Sequence, residues 1–580
     1  MALSFNGREF TFTQPDGSRI PVRGWGNQYY AVFETLDGFT IIQNQSTQFF
    51  EYAKLSDDGD TLESTGIPVG STIPPEISLS RKLRVNPGSA KKQAIEAKQA
   101  MPKRQCEIRR EQAKAASLQS PVAGVEPAPP TQTTIGSFVG LCLLIEFPDD
   151  GGIIPQAEVE RFCNQPGYSG FQNNGSVFDY FRDNSNGEFD YTNIVTPYYM
   201  AQKNRSYYTD ERIPFPQRAR ELISEAIAHF DSQGFDFSPL TTDDNDNIIA
   251  LNIFYAGNRT NNWSKGLWPH SSSLLAPLTT NSGNKALDYQ FTNIGDRLLL
   301  GTFCHENGHM ICGFPDLYDT GFQSSGLGAY CLMSSEGDPK NPVQISAYLK
   351  YKAGWANSVK KITPGSNIAI SAGINDFYIY QNPNDPAEYF IIENRRASGR
   401  DASIPSQGLA IWHIDESGNN QNEQMTLNQH YECSLEQSDN NFDLERRPYS
   451  YGDAQDLFSA TTNRRFGNAT FPDSKWWDGT PSGLEIIDIS LPGATITLRV
   501  PGNTGTSQLT ALANTKIKKS TNPSQGLPQN GKFDLAAGQT LTLTSFHSTI
   551  NNHWELELDL ASSPDGTSKW FAFKPHVDIQ

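Results

Sequence analysis

The sequence predicts a multidomain α+β protein, and three observations carry that prediction. At 580 residues the chain exceeds a single core, given roughly 150 residues per domain. Its 47 glycines and 36 prolines favour many turns over long helices. Alternating strand-like runs at both ends flank a middle in which apolar strands and amphipathic helices interleave.

Taken in order, Phe5 to about Gly70 alternates in runs such as Glu9-Phe10-Thr11-Phe12 and Tyr29-Tyr30-Ala31-Val32-Phe33-Glu34. Turns at Pro15-Asp16-Gly17 and Leu36-Asp37-Gly38 break these runs, so 1–73 reads as a compact antiparallel unit. Residues 74–134 are rich in Lys, Arg, Ala, Gln and Pro with few large apolar side chains. That composition predicts an exposed connector, partly helical or disordered, and either a plain linker or a site of trypsin-like maturation.

The third segment, 135–358, opens on Phe138 to Phe147, a continuous apolar run that reads as a buried strand. Helices are expected at Ala157–Cys163 and Phe215–Phe230, and a second central strand at Ile248–Gly257. Apolar residues at helical spacing from Ile294 to Phe303 extend into a further helix. Beyond a helix at Val343–Tyr351, segment 359–502 turns β-rich. Strands at Glu388–Arg395 and Gly408–Asp415, closed by Ile486–Val500, predict a sandwich. Lys475-Trp476-Trp477-Asp478-Gly479 reads as a tryptophan-packed turn, with a ligand platform as the alternative. Pro501-Gly502-Asn503-Thr504-Gly505 is a linker by composition, and 506–580 is a small β unit, SH3-like at a guess, without a catalytic constellation.

The net charge of −18 argues against nucleic-acid binding. Between Arg81 and Lys114 eleven basic residues face three glutamates, a local +8 that leaves −26 for everything else. No run of eighteen apolar residues exists to span a membrane. The start, Met-Ala-Leu-Ser-Phe-Asn-Gly-Arg, has no apolar signal core, which leaves a removed leader, unconventional export or an intracellular protein open. Seven cysteines is an odd count. Pairs Cys142–Cys163 and Cys312–Cys331 are positioned for disulfides of an exported protein, and buried free thiols are the alternative.

The chemistry concentrates between Cys304 and Asp319, C-H-E-N-G-H-M-I-C-G-F-P-D-L-Y-D. On a helix His305 and His309 lie on one face about 6 Å apart, close enough to share an ion. Glu306 points off that direction, which suits a general base acting on water beside the metal. Gly313-Phe314-Pro315 supplies a helix stop that turns the chain back, so that Asp316 offers a third ligand. Met333, in the following Gly-Leu-Gly-Ala-Tyr-Cys-Leu-Met-Ser-Ser run, reads either as ordinary core or as the floor of a metal site in a Met-turn.

These residues resemble the secreted bacterial zinc metallopeptidases of the immune inhibitor A type. The resemblance rests on His305-Glu306-Asn307-Gly308-His309, Gly313 to Asp319, the Met333 run, the Ser176-Val177-Phe178-Asp179-Tyr180-Phe181 segment and Leu267-Trp268-Pro269-His270, and covers roughly residues 1–500. It implies a β-rich prodomain, an α/β zincin-type catalytic domain with a Met-turn, and a following β-domain. It also implies secretion, Zn²⁺ on His305, His309 and Asp316, and hydrolysis of protein or peptide substrates with Glu306 as base. One departure stands out: the family pattern has glycine three residues after the second histidine, whereas Gly313 is four on. An extra residue swings the following chain by ~100°, so Asp319 stays open beside Asp316 as third ligand.

Several secondary expectations accompany this reading. The Asp243-Asp244-Asn245-Asp246-Asn247 turn is either a solvated acidic turn or a Ca²⁺ site, although it lacks the glycine and distal glutamate of an EF-hand. His270, Tyr318 and Tyr330 are candidates for a transition-state donor. The order of parts suggests a latent zymogen, in which an exposed Cys106, its ionised form favoured by nearby arginines, could reach the metal. A catalytically weak or inactive adhesion protein on the same fold is the alternative function.

Overall fold

In a computed structural model of the chain, the described residues are 4–74, 77–118, 134–319, 321, 324–420, 425–447, 450–501, 507–549, 552–559 and 562–579. They form two units, Met1–Lys361 with Ala369–Leu498 and Ile362–Ile368 with Arg499–Gln580. The architecture is multidomain α+β.

In the first unit the N-terminal alternation becomes a six-stranded meander running in chain order from Phe5–Thr13 to Leu62–Pro68. Phe10, Phe12, Val22, Phe33 and Phe50 fill its core, and Trp268 of the third segment completes it. Sheet and aromatic core are tight enough that a Cβ on Gly24 would lie 2.5 Å from the Phe33 ring.

The connector is partly helical, as expected, but it is not simply exposed. Pro87–Gln99 and Gln105–Leu118 are helices, and Ala90, Ala94, Arg104 and Cys106 are buried. Composition misleads here because the segment is fastened by charge rather than by apolar area. Arg109 donates to the Met310 carbonyl (2.9 Å) and to Asp243 (3.1 Å), and Arg110 to Glu432 (2.7 Å). We call this helix pair the strap. The remainder of the expected connector, 119–133, lies outside the described residues.

The third segment is built on a mixed sheet ordered His270–Thr279, Lys285–Ile294, Leu251–Ala256, Gly136–Glu146, Phe189–Val195, with Tyr199–Met200 also pairing with Gly136–Glu146. All neighbours are parallel except the edge strand His270–Thr279. The apolar run 138–147 is continuous because both faces are covered. Cys142 and Leu144 join one core with the helices Gln156–Asn164 and Val177–Asn184. Leu141, Leu143 and Ile145 join another with Gln217–Ser232.

The helix expected from Ile294 onward begins later, at Leu300, and ends at Cys312. Ile294 still pairs in the sheet with Ala256. The Asn173 side chain then bridges the Leu298 carbonyl and the Leu300 N–H across the link.

The β-rich segment forms one five-stranded sheet, Ser358–Lys361, Asp376–Gln381, Glu388–Arg395, Gly408–Asp415 and Cys433–Leu435, plus two-stranded pieces, where a sandwich was expected. Its central strands are buried throughout. On one face Tyr389, Ile391, Trp412 and Ile414 share the core of Phe303 and Met333. On the other, Phe390 stacks on Trp476 at 5.1 Å. The helix Leu300–Cys312 and the Met333 segment therefore take the place a second sheet would fill, and the tryptophan pair is a packed turn.

The second unit carries a seven-stranded antiparallel sheet running from Ser507–Ala511 to Val577–Ile579, closed over Leu509, Ile517, Leu543, Leu556 and Trp570. Residues 502–506, which include most of the expected linker, lie outside the described residues. Among the described residues no helix is long and apolar enough to cross a membrane. All seven cysteines are thiols, so neither expected disulfide is present. Cys331 Sγ instead accepts the Ser346 N–H.

Candidate metal centre

His305 and His309 sit one turn apart on the helix Leu300–Cys312, and both are buried. Each ring is fixed by its Nδ1–H, which donates to a backbone carbonyl: Leu332 for His305 (3.1 Å) and Phe314 for His309 (2.6 Å). That leaves both Nε2 atoms as lone-pair acceptors, the tautomer that metal-ligating histidines adopt. They stand 3.1 Å apart, and Asp316 Oδ1 lies 3.1 Å from one and 3.3 Å from the other. Three acceptors converging in this way are satisfied by a cation. Ligand atoms at ~2.0–2.1 Å around a tetrahedral zinc would stand about 3.3 Å apart, so the donor set fits that ion. Among the described residues this is the one group of three such side chains close enough to hold a metal.

The turn after the helix explains how Asp316 arrives. Gly313 takes the left-handed conformation (φ 65°), its N–H bonding the His309 carbonyl, and Phe314 N–H reaches Gly308 O. The extra residue is thus absorbed by one αL position. Asp319 is elsewhere: its carboxylate accepts from Gly321 N–H and Ser324 Oγ, holding the next loop. Met333 is buried beneath the helix, its Sδ 3.0 Å from where a Cβ on Gly308 would be, and its carbonyl accepts Leu317 N–H.

Glu306, also buried, follows the first histidine. Burial works to raise its carboxyl, but positive charge at His305 and His309 outweighs that and holds it below its ordinary value; with both imidazoles neutral, a cation held between them would have to supply that charge. Asp316 lies well below the usual carboxylate range for the same reason, burial being overcome by His309 and then His305. On the opposite side of the helix Asn307 anchors the motif to the sheet, its Nδ2 donating to Asn252 Oδ1 (2.9 Å) and its Oδ1 accepting from Tyr191 (2.7 Å).

The N-terminal unit and the strap crowd this centre. Tyr318, next but one to Asp316, accepts from Asn27 Nδ2 at 3.3 Å. Gln28 pairs with the backbone of Ser271, whose Oγ also accepts from Arg104 (2.9 Å). Between strap and centre lies a cavity of about 480 Å³ lined by His309, Phe314, Asp316, Arg104, Arg110 and Glu432, among others.

Other expected site residues are engaged away from the centre. His270 uses both ring nitrogens, on Trp268 O (2.7 Å) and Tyr289 Oη (3.1 Å), and burial depresses it to about 3. Tyr330 Oη is bound to Ser406 and Asp456. Cys106 is buried and is not one of the three converging groups. Burial pushes its thiol up to about 12, overriding the arginines that were expected to ionise it. In the acidic turn, the Asp243 carboxylate accepts Asn245 N–H and Asn247 N–H and pairs with Arg109, so it docks the strap. Sequence reasoning missed Asn27, Gln28, Glu432 and Asn307. The local +8 was the only trace of the strap's contacts, since a polar side chain reaching across more than a hundred residues leaves no periodicity. No protein-family model matches the chain, and no curated protein matches its sequence.

Proposed function

We propose that this chain is a zinc-dependent endopeptidase made in a latent form. The observation that carries the reading is the convergence of His305 Nε2, His309 Nε2 and Asp316 Oδ1 within 3.1–3.3 Å, with both imidazole tautomers fixed from behind. Those three residues would hold the ion. Bound zinc supplies Lewis acidity, polarising a carbonyl and bringing water toward ionisation near neutral pH.

The chain's own residues do the rest. Glu306 takes the proton of the attacking water at its carboxylate and returns it to the leaving amine. Positive charge at this centre, set against the cost of burial, keeps it ionised to do so. Tyr318, buried beside Asp316, is the remaining candidate to donate a hydrogen bond to the developing oxyanion. Met333 beneath Gly308 serves as the Met-turn of a zincin-type domain. Latency follows from cover: the Asn27–Gln28 loop and the strap fill the space that a peptide needs.

The test is metal content together with casein hydrolysis, before and after limited trypsin treatment. One zinc per chain and hydrolysis that rises on cutting and vanishes on chelation are expected. Retained metal without hydrolysis in either form would favour a binding protein on this fold instead.

A further inference from the structure

The strap ends on one carboxylate. Glu432 is 4% exposed. Its Oε1 accepts from Tyr348 Oη at 2.7 Å, and its Oε2 accepts from Arg110 Nη2 at 2.7 Å and Lys114 Nζ at 3.1 Å. A carboxylate this deep is stable as an anion only with a cation against it, and the tyrosine is a single neutral donor. Burial works to raise its pKa, and Arg110 and Lys114 overcome this.

Glu432 and Arg110 line the same cavity as His309 and Asp316. The basic residues that line it, Lys98, Lys103, Arg104 and Arg110, all lie on the strap's two helices or on the short link between them, as do Glu107 and Glu111. Lifting the strap removes them together. What stays includes Glu432, Gly313, Phe314 and Pro315, lining the same cavity as His309 and Asp316. Phe314 and Pro315 suit an aliphatic stem, and Glu432 suits a charged head.

We propose that Glu432 is a specificity-determining subsite that takes an arginine or lysine side chain of the peptide substrate, and that Arg110 occupies it in the intact chain. This rests on the endopeptidase reading above.

The test uses the trypsin-activated full-length protein and a peptide set in which each position is varied among Arg, Lys, Ala, Gln and Glu. Wild type is expected to cleave peptides with Arg or Lys at one fixed position from the scissile bond at least about tenfold faster in kcat/KM than the Ala peptide. Glu432→Gln should bring that ratio below about threefold, and Glu432→Lys should turn it toward Glu. An unchanged basic preference in Glu432→Gln would overturn the assignment. So would a flat wild-type profile, which needs no variant to fold. As a readout without turnover, activated Glu306→Gln protein should bind an Arg peptide at least about tenfold tighter than its Ala counterpart by fluorescence anisotropy, and equal affinities would count against the subsite. Casein cleaved with a flat peptide profile removes the subsite alone. Casein left intact by activated wild type removes the endopeptidase reading and the subsite with it.

Discussion

Gln28 holds Ser271 by both of its backbone groups: the amide Nε2 donates to the Ser271 carbonyl at 3.1 Å, and Oε1 accepts the Ser271 N–H at 3.0 Å. Ser271 lies at the start of the antiparallel edge strand His270–Thr279. A side-chain amide presents the same donor and acceptor as a peptide group, so Gln28 sits where an added strand would pair. The two bonds together are worth about 1–3 kcal/mol. Gln28→Ala is expected to raise casein hydrolysis by the uncut chain roughly five- to 150-fold, with little change in the trypsin-cut form. An uncut variant as inactive as wild type would remove this residue from the latency device.

Asp316 and Asp319 separate by what they hold. Asp316→Ala should weaken zinc binding, read by chelator competition, by at least about a hundredfold, as loss of a direct ligand does. Asp319→Ala should leave zinc affinity within about tenfold while lowering stability by about 1–3 kcal/mol, because the buried Ser324 hydroxyl and the Gly321 N–H lose their acceptor. The reverse ranking of affinities would hand the ligand role to Asp319.

Asn307 occupies a position that the metal motif leaves free, yet it ties the helix to the sheet through Asn252 and Tyr191. Truncation removes one of several partners from Asn252 Oδ1 and from Tyr191 Oη, and with them the bond from Asn307 Nδ2 to the Phe303 carbonyl. Asn307→Ala should cost about 2–4 kcal/mol in urea unfolding. A cost under about 0.5 kcal/mol would show that the network does not position the helix.

Glu445 gives a pH signature from a group outside the candidate metal centre. It is buried, accepting from Ser434 (3.0 Å) and Gln437 (2.5 Å), and burial pushes its carboxyl up to about 8. The native chain therefore keeps a proton that the unfolded chain releases above about 4.3. Between these values the unfolded state binds fewer protons, so stability falls as pH rises. Glu445→Gln should match wild type in thermal midpoint near pH 4 and exceed it increasingly toward pH 8. A difference between the two that does not change with pH would show that Glu445 is ionised in the fold.

Strand positions were legible wherever alternation or a continuous apolar run met a turn signal: Glu388–Arg395 and Gly408–Asp415 have the expected bounds. The approach of His305, His309 and Asp316 follows from helical spacing and a glycine stop. The helix start was misplaced because Ile294 satisfies either a strand or a helix pattern, and the parallel partner that decides it lies some forty residues back. The sandwich was misread because local alternation reports that a sheet is covered, not what covers it. The strap was misread because its burial depends on Arg104, Arg109 and Arg110 finding partners in three distant segments, and hydropathy counts those arginines as solvent-facing.

The central claim is that Glu306 moves a proton during peptide hydrolysis at a site held by His305, His309 and Asp316. The most direct measurement is the casein hydrolysis rate of trypsin-activated Glu306→Gln protein beside activated wild type at equal zinc content. The account predicts a loss of at least about a hundredfold with metal content and melting temperature retained. A variant that hydrolyses casein at the wild-type rate would contradict it.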